Sequence, residues 1–125
     1  MENETFRVLV VEDHKYNQLV IRKMIESLGL PVITASNGKE AIGIFSAAPD
    51  IPLVFMDIKL PEMNGIQAMN EIRKIKPDTV IIAETAYAMP GDKEKLLEAG
   101  FDDYLAKPFT LEDIKQIFRK HFACL

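Results

Sequence analysis

The chain has one cysteine in 125 residues, Cys124 at the penultimate position, so it can form neither an internal disulfide nor a thiolate metal site. It has no apolar run near the roughly 20 residues that a transmembrane helix requires. The acidic start Met1-Glu2-Asn3-Glu4-Thr5 lacks the apolar stretch of a signal peptide. These absences predict a cytoplasmic chain that makes no membrane contact. A basic excess is missing too. The formal net charge is -4, which leaves nothing to neutralise a phosphate backbone and predicts no direct nucleic-acid binding. The two histidines show no metal-ligand spacing: His14 reads as an exposed loop residue and His121 as a helix-end residue. Neither G-x-G-x-x-G nor G-x-x-x-x-G-K-[ST] occurs, which removes the Rossmann and P-loop nucleotide sites. With no linker, repeat or low-complexity segment, the length predicts a single domain over 1–125 whose core needs no staple.

What is present has the composition of an ordinary globular protein, 48% hydrophobic and 27% charged. The run Leu53-Val54-Phe55-Met56 is apolar without a helical period and ends on one carboxylate, Asp57, before Pro61. That pattern predicts a strand buried on both faces with an acid at its carboxyl end. Residues 6–11 are β-branched and end in Glu12-Asp13, which predicts a first strand. Val20, Met24 and Leu28, widened by Ile21 and Ile25, predict an amphipathic helix over 16–28 that Gly29 stops. Residues 31–35 form a short second strand. Asn37, with Glu40 three residues on, caps a second helix carrying Ala41, Ile42, Phe45 and Ala48 up to Pro49. Ile66, Met69, Ile72 and Ile75 mark the core face of a third helix ending before Pro77. After a fourth strand at 79–85, Pro90, Gly91 and Asp92 open a more polar helix through Ala99, ended by Gly100. Residues 101–106 are a fifth strand. Thr110 and Asp113 form a capping box for a last helix carrying Leu111, Ile114, Ile117, Phe118 and Phe122. Five strands alternating with five helices on short loops imply an α/β fold, a parallel sheet with helices on both faces.

Parallel strands all end on one rim, so Glu12, Asp13, Asp57, Thr85 and Lys107 converge there. Three crowded carboxylates resist joint ionisation unless a cation shares the site. Lys107 and a metal are the two candidates. An all-oxygen donor set without His or Cys suits a magnesium ion that keeps several waters and leaves room for a phosphate oxygen.

Four motifs occur in order: Val10-Val11-Glu12-Asp13, Met56-Asp57-Ile58-Lys59-Leu60-Pro61-Glu62-Met63-Asn64-Gly65, Glu84-Thr85-Ala86 and Tyr104-Leu105-Ala106-Lys107-Pro108-Phe109. With them the whole chain resembles the receiver domain of two-component response regulators. Glu12-Asp13-His14-Lys15-Tyr16-Asn17-Gln18-Leu19 and Thr85-Ala86-Tyr87-Ala88 point to the receivers of hybrid histidine kinases as the nearest subgroup. The resemblance implies a flavodoxin-like, doubly wound five-stranded sheet of order 2-1-3-4-5 with five helices. It implies that Asp57 accepts a phosphoryl group from a phosphohistidine on a histidine kinase or histidine phosphotransfer domain. Glu12, Asp13, Asp57 and the backbone carbonyl of Lys59 would hold Mg2+. Lys107, before a peptide bond to Pro108 that is typically cis, would meet the phosphoryl group. Thr85 and Tyr104 would be the switch pair, and Lys59 and Tyr87 would tune the lifetime of the acyl phosphate. The output face, also a possible dimer face, would be the fourth helix, fifth strand and fifth helix. The chain would have at most self-phosphorylation from a phosphohistidine donor and slow self-dephosphorylation as activities, and it reads equally as a free regulator or as one domain of a longer hybrid histidine kinase.

Glu84 departs from this pattern, since receivers usually carry an apolar residue just before the switch threonine. Alternation points it away from Thr85, into the sheet's covered side, where an unpaired carboxylate is costly. It is expected to need a lysine, water or the sheet margin and to disturb packing of the fourth helix. Two other readings stay open. A haloacid-dehalogenase-like magnesium-dependent phosphatase also uses a strand-end aspartate, but wants a second aspartate where this chain has Lys59. A phosphorylation-incompetent pseudo-receiver would have lost Asp57, Lys107 or the acidic pair, and all are present.

Overall fold

β-branched and aromatic runs build the centre of the molecule. In the computed structural model, which describes residues 6–48, 50–86 and 89–122, the strands are β1 (Val8–Val11), β2 (Val32–Ala35), β3 (Leu53–Asp57), β4 (Val80–Thr85) and β5 (Asp103–Ala106). They form one parallel sheet in the order β2-β1-β3-β4-β5. Every residue of β1 and of β3 is buried, as expected for near-continuous apolar runs with neighbours on both sides and helices on both faces. The helices are α1 (Lys15–Glu26), α2 (Gly38–Ala47), α3 (Gly65–Ile75), α4 (Asp92–Ala99) and α5 (Leu111–His121).

Right-handed crossovers divide the helices between the two faces. Val8, Val10, Leu53, Phe55, Ile82 and Leu105 face Ile21 and Ile25 of α1 and Ile114, Ile117 and Phe118 of α5. Leu9, Val11, Val54, Met56, Ile81 and Ala83 face Ala41 and Phe45 of α2, Ala68, Met69 and Ile72 of α3 and Leu96 of α4. Burial of side chains such as Phe45 and Phe55, both fully inaccessible, contributes on the order of 2 kcal/mol each.

Helix ends follow local chemistry. Asn37 Oδ1 accepts from the Glu40 amide at 2.7 Å, while Glu40 Oε1 accepts from the Ser36 amide at 2.6 Å. Thr110 and Asp113 close the expected capping box on α5. A second box, Asn64 with Gln67, opens α3. Gly29 at φ 86 ends the first helical segment, as expected.

Some expectations shift. In α1 the buried residues are Ile21 and Ile25, while Val20, Met24 and Leu28 are only partly buried. Ile75 is 39% exposed and is not on the core face, which α3 builds from Ala68, Met69 and Ile72. α4 begins at Asp92 rather than Pro90, because Gly91 adopts the left-handed region at φ 89 and the Asp92 carboxylate accepts from the Met89 amide at 2.8 Å. Phe6 precedes β1 and packs edge-on against Phe122, with ring centres 5.0 Å apart. Pro49, Tyr87 and Cys124 lie outside the described residues.

Candidate functional site at the β1/β3 rim

The strand order reverses between β1 and β3, so their carboxyl ends open the crevice where ligands bind in doubly wound sheets. β1 delivers Glu12 and Asp13 to this crevice, β3 delivers Asp57 and the junction after β5 delivers Lys107. Among the described residues, Glu12, Asp13 and Asp57 place carboxylate oxygens within 4.8 Å of one another. Glu12 and Asp57 are buried, and Asp13 is exposed. Lys107 Nζ lies 2.7 Å from Glu12 Oε1 and 3.3 Å from Asp57 Oδ2. The Lys107-Pro108 peptide bond is cis, as the resemblance implied.

Backbone amides hold the acids in place. The His14 amide donates to Glu12 Oε2 at 3.1 Å, and the Lys59 amide donates to Asp57 Oδ1 at 3.1 Å. Gly65 is fixed by close approach: its amide donates to the Ile58 carbonyl at 2.9 Å, and a Cβ there would overlap the Asp57 carbonyl oxygen. Only glycine lets α3 start this close to Asp57.

The charges do not balance. Burial raises the Asp57 pKa above its ordinary value; the Lys107 charge opposes this and the Glu12 charge adds to it. For Lys107, burial works against the ammonium, but the Glu12 hydrogen bond and the charges of Asp57 and Glu84 outweigh it and hold the pKa above the usual lysine range. Among the described residues, Glu12, Asp13 and Asp57 form an anionic, all-oxygen cup in which Lys107 pairs with Glu12 and Asp57, and Asp13 is exposed to water. This donor set fits a hard divalent cation such as magnesium.

Glu84 belongs to this neighbourhood. It pairs in register with Asp57 and, by alternation from Val80 and Ile82, faces α1 and α5. The expected disturbance of the fourth helix is therefore misplaced, since α4 covers the opposite face. Glu84 is fully buried and neither carboxyl oxygen has a hydrogen-bond partner among the described residues. Burial pushes its pKa to about 8, against the pull of the Lys107 charge. Of the lysine, water or sheet margin expected for it, Lys107 acts on Glu84 only through its field. Strand order would have identified this face, since right-handed crossovers assign α1 and α5 to one side.

The remaining candidates lie around the cup. Thr85 ends β4, half-buried, and its carbonyl accepts from the Lys107 amide at 2.8 Å. Tyr104 pairs in register with Ala83, on the same face as Thr85 and half-buried against the α2/α3/α4 core. Lys59 is exposed. A cleft of about 480 Å³ runs from Tyr16, Val20 and Met24 on α1 to Lys107, Pro108 and Phe109. No helix among the described residues is long and apolar enough to cross a membrane.

Residues 8–119 match the family of the response regulator receiver domain. Two-component response regulator 24 of Arabidopsis thaliana is 35% identical over 112 residues, covering 90% of this chain and 81% of its own length. The sensor histidine kinase GacS of Pseudomonas protegens is 36% identical over 119 residues, 91% of this chain but 13% of the kinase. The chain thus spans most of one relative and a small part of the other. Among solved structures, the receiver domain of a Pseudomonas aeruginosa sensor histidine kinase, with magnesium coordinated in its active-site cleft, superposes with a TM-score of 0.83. It is 38% identical, and the match covers 92% of this chain and 95% of that one. The receiver domain of a Saccharomyces cerevisiae response regulator, crystallised with a histidine phosphotransfer signalling protein, gives a TM-score of 0.83 at 31% identity. That match covers 92% of this chain and 87% of the other.

Proposed function

The chain belongs to the response regulator receiver domain family, a component of two-component and phosphorelay signalling, and from that premise we propose that Asp57 is its phosphoacceptor. The observation that carries the reading is the juxtaposition of buried Asp57 with Lys107 and with the Glu12/Asp13 pair. An Asp57 carboxylate oxygen bonds to phosphorus while the bond from phosphorus to the partner's imidazole nitrogen breaks. The electron pair returns to the imidazole, which leaves neutral when its other nitrogen is protonated. Phosphoryl transfer asks the protein chiefly for in-line positioning and for charge to meet the equatorial oxygens. Lys107, held between Glu12 and Asp57, is the resident positive charge for this. Glu12, Asp13, Asp57 and the Lys59 carbonyl are the proposed holders of Mg2+, which when bound supplies further neutralisation of the phosphoryl oxygens.

A phosphoryl group adds about 1.5 to 2 negative charges. In the proposed switch the Thr85 hydroxyl turns toward it and Tyr104, on the same face of the sheet, follows into the space released. Lys59 and Tyr87 would tune the lifetime of the acyl phosphate, and α4, β5 and α5 would carry the output and any dimer contact. The donor is a phosphohistidine on a histidine kinase or phosphotransfer domain, laid against the cleft between α1 and Lys107-Pro108-Phe109. Lys59, exposed two residues after Asp57, supplies no second acid for a hydrolase of the dehalogenase type.

The test is transfer of radiolabelled phosphate from a phosphorylated histidine phosphotransfer protein. Label should move to this chain with Mg2+, stay on the donor in EDTA, and fail to move to Asp57→Asn. Transfer of equal extent to Asp57→Asn would refute the assignment.

A further inference from the structure

We infer that Gln18 is a positioning residue for the Glu12/Asp13 pair: its side-chain amide clamps the peptide that carries both carboxylates. The inference rests on the reading of those acids as cation ligands. Gln18 Nε2 donates to the Glu12 carbonyl at 3.0 Å and to the Ala35 carbonyl at 3.3 Å. Both partners are acceptors, so the side chain must present its nitrogen, and its two hydrogens match two oxygens.

The place of this clamp gives it consequence. The Glu12 amide donates to the Ala35 carbonyl at 2.9 Å, the last rung between the first two strands, and beyond it β1 has left the ladder. The Glu12 carbonyl belongs to the peptide joining Glu12 to Asp13, so the orientation of that plane sets where both side chains leave the backbone. The Glu12 carboxylate has its own restraints, Lys107 at Oε1 and the His14 amide at Oε2. Asp13 is exposed, and its direction depends on the backbone from which it hangs. Gln18 can fix that backbone because it sits in the first turn of α1, where its own amide donates to the His14 carbonyl at 2.9 Å. One side chain thus ties α1 to the carboxyl ends of β1 and β2.

Groups that orient metal ligands without touching the metal typically change affinity by about 10- to 100-fold when removed. The experiment is calorimetric titration of Mg2+ into the wild-type chain, Gln18→Met and Gln18→Arg, with circular dichroism and urea unfolding of each in EDTA. Gln18→Met keeps length but loses both donors, and its Mg2+ affinity should fall by about tenfold. Gln18→Arg keeps donors for the two carbonyls and should restore most of the loss. A merely structural glutamine would lower the urea midpoint and leave the affinity of the folded protein unchanged. Equal Mg2+ affinity in Gln18→Met and wild type, or equal loss in both variants, overturns the clamp. Should Gln18→Met fail to fold, Gln18→Asn, whose amide is too short to span both carbonyls, takes its place with the same expected loss. A wild-type chain that does not bind Mg2+ would overturn the ligand reading itself, and the clamp with it.

Discussion

Glu84→Gln should stabilise the metal-free protein, and by an amount that depends on pH. Glu84 is fully buried beside Asp57, with no hydrogen-bond partner for either oxygen among the described residues, and its pKa rises from 4.5 to about 8. A carboxyl with a raised folded-state pKa holds its proton in the native state while the unfolded chain releases it. Its contribution is therefore most favourable below the unfolded value and is lost progressively as pH rises toward the folded one. At about 1.36 kcal/mol per unit, the interval from 4.5 to pH 7 costs the wild type about 3 kcal/mol, and the full interval to 8 costs about 5 kcal/mol. The glutamine side chain of the variant has a similar shape and no proton to lose, so the two proteins should be almost equally stable near pH 4.5. They should diverge by about 3 kcal/mol at pH 7, roughly 10 °C in Tm for a domain of this size. Urea unfolding of both chains in EDTA, across pH 4.5 to 8.5, measures the difference. A pH-independent gap, or a wild type more stable than the variant at pH 8, would refute the reasoning.

Two further outcomes follow from the geometry. Gly65→Ala should destabilise the fold by about 3 kcal/mol, read from the urea midpoint, because the added Cβ meets the Asp57 carbonyl oxygen and, at 2.9 Å, the Ile58 Cα, backbone atoms that cannot step aside. Asp103 is buried under the end of α5; burial alone would raise its pKa, but hydrogen bonds from His121, the Tyr104 amide and Lys120 hold it below the ordinary value. That stability is present above the unfolded value of 3.8 and is lost as pH falls through the lower folded one. Asp103→Asn should accordingly cost about 1 kcal/mol at pH 7, since Lys120 is largely exposed, and nothing once the carboxyl is protonated in both the folded and the unfolded wild type. Chemical unfolding at pH 7, and at a pH acid enough to protonate the folded carboxyl, gives the answer.

Much of this was legible in the chain because it is local. An apolar run that ends on a carboxylate predicts a buried strand with an acid at its end without any neighbour, and Asn37, Thr110 with Asp113, and Gly29 declare helix ends within a few residues. Convergence of Glu12, Asp57 and Lys107 followed from parallel strands ending on one rim. What was missed depends on partners across the sheet. The face that receives Glu84 is decided by which helices the crossovers place there, and the glycine demanded at Gly65 comes from a backbone contact with Asp57. Gln18 looks like any polar helix residue until β1 and β2 bring two carbonyls under it. Ile75 kept its helical spacing and is still exposed, because periodicity marks a face of a helix and not which of its residues a neighbour covers.

The central claim, that Asp57 is a phosphoacceptor served by Lys107 and the acidic pair, meets its most direct test in intact mass spectrometry after incubation with acetyl phosphate and Mg2+. The account predicts a gain of one phosphate in the wild type and none in Asp57→Asn. A wild type that gains nothing, or a gain that survives Asp57→Asn, would contradict it.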